Sequence, residues 1–392
     1  MEKEVFIVGA TRTPVGEFGG GLKTVSATEL AMTAMTAAVN RAGIEKEQLE
    51  LVTMGNCMDP VASNVARIAS VKAGIPSETP AISVSCTCGS GMQAIINGFL
   101  AIRNQDAQVV LAGGVESMSN APYILPAGRW GQRLQHAQLV DLIWKQMQEY
   151  PIGVGMGLTA ENLAERDDIT REAQDELALT SQTRALNAID TGRFKDEITP
   201  VEIPVRGREP KIVDTDEHPR RGLTLEKLAA LPAVFKKGGT VTAANASGIN
   251  DGAAAVILMD GDKVKETGAT PLARIIGYSV AGVDPNIMGF GPVPAVRTLL
   301  KKTGLSMADI DLVELNEAFA AQYLSCEKGL ELNRDITNVN GSGIALGHPV
   351  GCTGCRLVVS LIHEMQKRDL NKGLAALCAG GGHGFAMVVE RL

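Results

Sequence analysis

Residues 41–56, RAGIEKEQLELVTMGN, return about 260 residues later as KTGLSMADIDLVELNE at 302–317. Gly43 matches Gly304, Leu49 matches Ile310, and LELV matches IDLV. Further on, VVLAGG (109–114) parallels AALCAGG (375–381). Solenoid repeats run about 20–50 residues, so a pattern returning this late indicates a duplicated domain.

Around these repeats, short β-branched runs alternate with helical stretches. EVFIVGA (4–10), LVTMGN (51–56), AISVSC (81–86) and QVVLAGG (108–114) are continuously apolar and predict buried strands. Residues 27–42 and 92–103 predict helices. The alternation predicts a layered α/β fold. We expect an N-terminal half over 1–120, completed by about 245–268, and a C-terminal half over 269–392. Between them 121–244 is richer in charge, with ERDDITREAQDE (165–176) and RGREPKIVDTDEHPRR (206–221), and predicts an inserted loop domain. Its Arg206, Arg208, Lys211, Arg220, Arg221, Lys236 and Lys237 form either a solvated surface or a basic rim for a phosphorylated ligand.

Bulk properties narrow the class. A chain of 392 residues suits two or three domains. The formal net charge is −7 and aromatics make up 4%, which argues against a nucleic-acid partner by both electrostatics and stacking. No apolar run approaches the ~20 residues of a membrane span, and MEKEVFIVGA carries no signal-peptide pattern. Seven cysteines, an odd number, point to free thiols in a reducing compartment, the cytoplasm.

Four glycine-bounded segments carry the chemistry. In SCTCGSG (85–91), Cys88 lies where a strand-like run meets a helix, whose N-terminal partial charge should lower the thiol pKa. A buried structural thiol is the plain alternative. Cys86, one strand alternation away, should face the same side. In NVNGSGIALGHPVGCTGC (338–355), His348 sits in a loop before a buried helix, well placed as a base. His363 falls among charged residues and predicts a solvated face, and His136 and His218 lie in polar stretches. In LCAGGGHGFAM (377–387), Cys378 precedes three glycines whose amides could form an oxyanion hole. In VELNEAFAAQ (313–322), Asn316 is either a helix cap or an amide that orients water. GSGMQA (89–94) imitates a dinucleotide fingerprint but stands after the wrong strand, with no ribose-binding acid following. Cys86/Cys88 and Cys352/Cys355 lack the spacing of a zinc finger, so no metal site is expected.

These segments together resemble the thiolase family over essentially the whole chain. The matching motifs are CGSG (88–91), GGVESMS (113–119), MGLTAEN (156–162), NASGINDGAA (245–254), NEAFA (316–320), GHP (347–349) and CAGGG (378–382). The resemblance implies two similar α/β halves, each a five-stranded mixed sheet layered with helices, plus a loop domain. It implies a homodimer or a dimer of dimers, acting on acyl-CoA and CoA without metal or redox cofactor. By the same resemblance Cys88 is the acylated nucleophile, His348 takes its proton, and Cys378 moves the proton of the second acetyl-CoA. A water on Asn316, with His348, stabilises the enolate, and the amides of Cys88 and Gly380 stabilise the tetrahedral intermediate. Ser247, Arg220 and Phe235 would contact CoA, and Met288 and Phe319 would line the acyl pocket.

The sequence departs from the family at Ser85, Gly155, Ser342 and His383, none of them a catalytic position. Gly155 should leave space where a histidine ring sits in several relatives. The expected activity is acetyl-CoA C-acetyltransferase, joining two acetyl-CoA to acetoacetyl-CoA. The alternative is a 3-ketoacyl-CoA thiolase for longer or branched chains.

Overall fold

The computed structural model describes residues 3–392. Its principal strands are β1 (Val5–Arg12), β2 (Leu51–Gly55), β3 (Ala81–Val84), β4 (Val109–Ser117), β5 (Asn250–Asp260), β6 (Ala273–Gly282), β7 (Leu312–Leu315), β8 (Lys372–Ala379) and β9 (His383–Arg391). The helices that frame them are α1 (Ala27–Ala42), α2 (Ser90–Arg103), α3 (Pro292–Thr303) and α4 (Val350–Arg368).

The repeated segments fold alike. Helix α1 ends at Gly43 and α3 at Gly304, both left-handed, with φ 65° and 71°. Each cap is followed by a 3-10 turn, Lys46–Gln48 or Met307–Asp309, and then by β2 or β7. Leu49 and Ile310 are both buried beneath that turn. Only glycine adopts such a cap without a steric cost, which is why the repeat retains it.

Strand order is β7-β8-β9-β6-β1-β5-β4-β2-β3. Within the N-terminal half, β1, β5 and β4 run antiparallel and β4, β2 and β3 parallel. The C-terminal half copies this with β6, β9 and β8, then β8 and β7. Its fifth strand is reduced to one parallel bridge, Val313 to Thr337. The halves join through β1 and β6, paired among the described residues at Phe6–Arg274 and Ile7–Ala273.

Alternation along the strands sets the layers. Val109, Leu111, Ile257 and Met259 pack on α1, while Val110, Ala112, Val256 and Leu258 face α2. Across the molecule Leu374, Ala376, Ala386 and Val388 pack with α3, and Ala375, Leu377, Met387 and Val389 face α4. Helices α2 and α4 therefore share one central layer, giving helix, sheet, helix, sheet, helix. They touch backbone to backbone. A Cβ at Gly91 would stand 2.8 Å from the Cys355 amide, and one at Gly354 would stand 2.4 Å from the Met92 amide. This crossing brings the N-termini of both helices together.

One expectation is corrected here. Residues 81–84 form an edge strand rather than a buried one, with Ile82 exposed. The segment 121–244 is irregular over more than half its length and also contains the helices Met156–Arg166 and Arg171–Asp190.

Candidate active site

Between β3 and α2 the chain reverses at Thr87, which is left-handed at φ 49°. A β-branched residue resists that conformation, so the turn must be held. Ser90 Oγ donates to the Thr87 carbonyl at 2.6 Å and accepts from the Cys86 amide at 2.8 Å. Thr87 Oγ1 donates to the Cys86 carbonyl at 2.8 Å. Cys88 is placed at the helix mouth as a result. The reversal also breaks strand alternation, so the expected common face for Cys86 and Cys88 does not follow.

The Cys88 thiol is pushed up to about 11, chiefly by burial; the amides of Gly380 and of Cys88 itself oppose the rise. Burial outweighs the helix end, so the lowered pKa expected from sequence is not found. Both amides nonetheless face the sulfur, where they favour the thiolate.

His348, two residues before α4, is 4% exposed. Its Nδ1 lies 2.7 Å from Thr353 Oγ1, and that hydroxyl donates its one proton to the Pro349 carbonyl at 2.9 Å. Thr353 must then accept from Nδ1–H, which leaves Nε2 unprotonated. Burial, then the Arg356 charge, lower the imidazole to about 3, so it is neutral at physiological pH. The His348 amide donates to Asn250 Oδ1 at 2.9 Å, fixing the loop.

Asn316 ends the run of β7 and does not cap a helix: the following helix, Ala320–Leu330, is preceded by Phe319. Asn316 Nδ2 lies 3.5 Å from both ring nitrogens of His348, and Oδ1 is a buried acceptor with no protein partner. Cys378 sits near the end of β8, opposite Gly384, fully buried. Burial, then the neighbouring Cys88, hold its thiol well above the usual range.

Cys88, Thr87 and Gly380 line a cavity of about 50 Å³ closed by Cys57, Met58, Gln146, Met147, Tyr150, Met156 and Val350. Met288 and Phe319 pack with Cys378 in an apolar cluster that also includes Ala246 and Met156. Phe235 stands edge-on to Phe319, ring centroids 6.1 Å apart. Arg220 lines a separate cleft of about 270 Å³ with His218, Lys227, Leu231, Ala246 and Ile344. Ser247, whose amide donates to the Ala318 carbonyl at 2.9 Å, adjoins Ala246 between this cleft and the Cys378 cluster.

Three further expectations change. The space expected at Gly155 is occupied: a Cβ there would lie 2.7 Å from the Gln148 carbonyl. His363 is not solvated but half-buried, with Nε2 3.2 Å from the Ala10 carbonyl. His218 is half-buried in the cleft, its ring against Gly248 and its Nδ1 without a protein partner. Thr353, Asn250, Cys57 and Tyr150 were not singled out from sequence. Of these only Thr353 carried a local signal, a hydroxyl in the first turn after His348.

The sequence matches the thiolase N-terminal domain over residues 5–262 and the thiolase C-terminal domain over 269–391. The acetyl-CoA acetyltransferase of Syntrophomonas wolfei is 49% identical over 399 residues, spanning 100% of each chain. The crystal structure of the Bacillus anthracis acetyl-CoA acetyltransferase matches with TM-score 0.98 at 51% identity, covering 100% of this chain and 99% of that one. Human mitochondrial 3-ketoacyl-CoA thiolase in complex with CoA matches with TM-score 0.95 at 46% identity, covering 100% and 98%. The duplicated fold, the two matched domains and these likenesses agree: the chain belongs to the thiolase family, acyltransferases that act on CoA thioesters.

Proposed function

We propose that the chain is an acetyl-CoA C-acetyltransferase that condenses two acetyl-CoA to acetoacetyl-CoA and CoA, and runs the reverse thiolysis. The cavity at Cys88 carries this reading. It is narrow, about 50 Å³, and Met147, Tyr150 and Met156 wall it beside Cys88, which suits a short acyl group.

In the first half-reaction His348 Nε2 takes the Cys88 proton as the sulfur attacks the thioester carbonyl. The amides of Cys88 and Gly380 hold the oxyanion, CoA leaves with a proton, and acetyl remains on Cys88. In the second, Cys378 passes its own proton to His348 Nε2 and, as the thiolate, removes an α-proton from another acetyl-CoA. Protonated His348 and Asn316, the latter through a water, stabilise the enolate oxygen. The carbanion attacks the acetyl carbonyl, the carbon–sulfur bond breaks, and Cys88 takes back the proton held by His348. A neutral His348 supports this assignment, because a protonated imidazole could not accept. Arg220, Ser247 and Phe235 would bind the CoA body along the cleft that leads from Arg220 to the Cys378 cluster.

The same reading takes 1–120 with 245–268, and 269–392, as the two halves, with 121–244 forming the CoA rim. It places the chain in the cytoplasm, where its seven free cysteines would remain reduced. It also makes the protein a homo-oligomer, dimer or tetramer. Support comes from the exposed edge strand β3 and from the exposed Tyr123, Trp130, Leu134 and Trp144 near the hairpin of Tyr123–Ile124 and Val140–Asp141. Sedimentation velocity showing a monomer at micromolar concentration would refute that part.

Thiolysis rates with acetoacetyl-CoA and 3-ketohexanoyl-CoA test the activity. The four-carbon substrate should give the higher kcat/KM. Preference for six carbons would make this a longer-chain 3-ketoacyl-CoA thiolase instead.

A further inference from the structure

The reaction above leaves one buried carboxylate unused. Glu116, next to last in β4, has no exposed surface and, among the described residues, no cationic partner in hydrogen-bonding range. Its oxygens instead accept four N–H groups. Oε1 takes Asn56 Nδ2 at 2.9 Å and the Met58 amide at 3.0 Å. Oε2 takes the Cys57 amide at 3.1 Å and the Gly351 amide at 3.0 Å.

These donors come from both halves. Asn56, Cys57 and Met58 follow β2, and Cys57 and Met58 wall the cavity at Cys88. Gly351 is the second residue of α4, three after His348. That helix begins at Pro349 with no side-chain cap of its own. Four amides at a helix start have no partner within the helix, and Glu116 supplies one of those partners from the other half. The fit is tight, since a Cβ at Gly351 would come within 2.7 Å of Glu116 Oε2.

We propose that Glu116 is a positioning residue for the acyl transfer: it fixes the start of α4, and so His348, against the loop that walls the Cys88 cavity. Electrostatic activation of the nucleophile does not explain it. Burial chiefly raises the thiols of Cys88, Cys57 and Cys352, and the Glu116 charge adds to the rise, so that charge works against thiolate formation. What it contributes is the pair of tethers. A glutamine cannot replace it, because its NH2 would face two N–H donors where the carboxylate offers two acceptors.

This inference rests on His348 and Cys88 acting as base and nucleophile. The test compares Glu116→Gln with the wild type in thiolysis of acetoacetyl-CoA. Turnover is counted per Cys88 acylated after long incubation with acetyl-CoA, and melting is followed in parallel. A displacement of about 1 Å costs on the order of 100-fold. We therefore expect kcat per site to fall roughly 10- to 100-fold, with KM within about twofold. The pH midpoint of Cys88 alkylation should stay or fall.

Wild-type kcat per site would overturn the proposal, whatever happens to melting. So would an alkylation midpoint moved to higher pH, which would make Glu116 an activator of the thiol. If the variant gives no cooperative melt, Asn56→Ala removes one of the four donors and leaves the carboxylate in place. It should lower kcat per site roughly three- to tenfold at unchanged KM, since one hydrogen bond to a charged group is worth a factor of this order or more. Wild-type kcat there overturns the proposal equally. Wild-type protein that never acylates at Cys88 would take down the proposed reaction, and this inference with it.

Discussion

Cys88 and His348 hold the same place in the two halves. Each stands two residues before a central helix, α2 at Ser90 and α4 at Val350. Each follows a residue with positive φ, Thr87 at 49° and Gly347 at 97°. Burial acts on both, in opposite directions: the thiol rises to about 11 and the imidazole falls to about 3. The physical cause is the same. Desolvation disfavours charge, which is an anion for cysteine and a cation for histidine. One duplicated slot thus holds a neutral thiol and the other a neutral imidazole, the states that the proposed proton transfer requires at its start.

The comparison can be broken from either side. Cys88→Ala removes the acyl acceptor and should lower turnover about 10⁴-fold or more, with no acetyl adduct in the mass spectrum. An adduct on Cys86 with activity intact would mean that the N-terminal slot was misread. His348→Ala removes the base and should cost roughly 10²- to 10⁴-fold in kcat, while slow acylation of Cys88 persists. A variant within tenfold of wild type would leave the C-terminal slot without a chemical task.

Gly354→Ala tests the crossing that joins the slots. Its Cβ would meet the Met92 amide at 2.4 Å, and overpacking of this kind costs about 1–3 kcal/mol. Denaturant unfolding at wild-type stability would show that α2 and α4 have room to part. The mildest effect concerns pH. With the imidazole near 3 and the thiol near 11, kcat/KM for acylation should stay flat from about pH 5 to 9. A limb near 6.5 would mean a solvated His348. Linkage runs the same way: the stability that neutral His348 contributes is complete above its unfolded value of 6.5 and is lost as pH falls toward 3.

Much of this was legible in the sequence because the duplication leaves local marks. Gly43 and Gly304 marked equivalent positions of the repeat, and glycine-bounded turns flagged Cys88, His348 and Cys378. What stayed hidden depends on contacts distant along the chain. Nothing near Glu116 signals that it caps a helix beginning more than two hundred residues later. The exposure of β3 was missed because AISV is apolar, whereas its place at the sheet edge is a property of strand order. Asn316 looked like a cap because a strand met a helix there, yet the helix starts four residues on. The vacancy inferred at Gly155 ignored Gln148, which the loop folds into it.

Met147, Tyr150 and Met156, which limit the cavity, come from the segment between the halves, whereas Cys88, His348 and Cys378 come from the halves themselves. The inserted segment thus supplies one side of the cavity wall, and Cys57, Met58 and Val350 of the halves supply the other. On the proposed roles, a substitution at Met147 or Tyr150 alters the fit of the acyl group without removing any of the three reacting side chains.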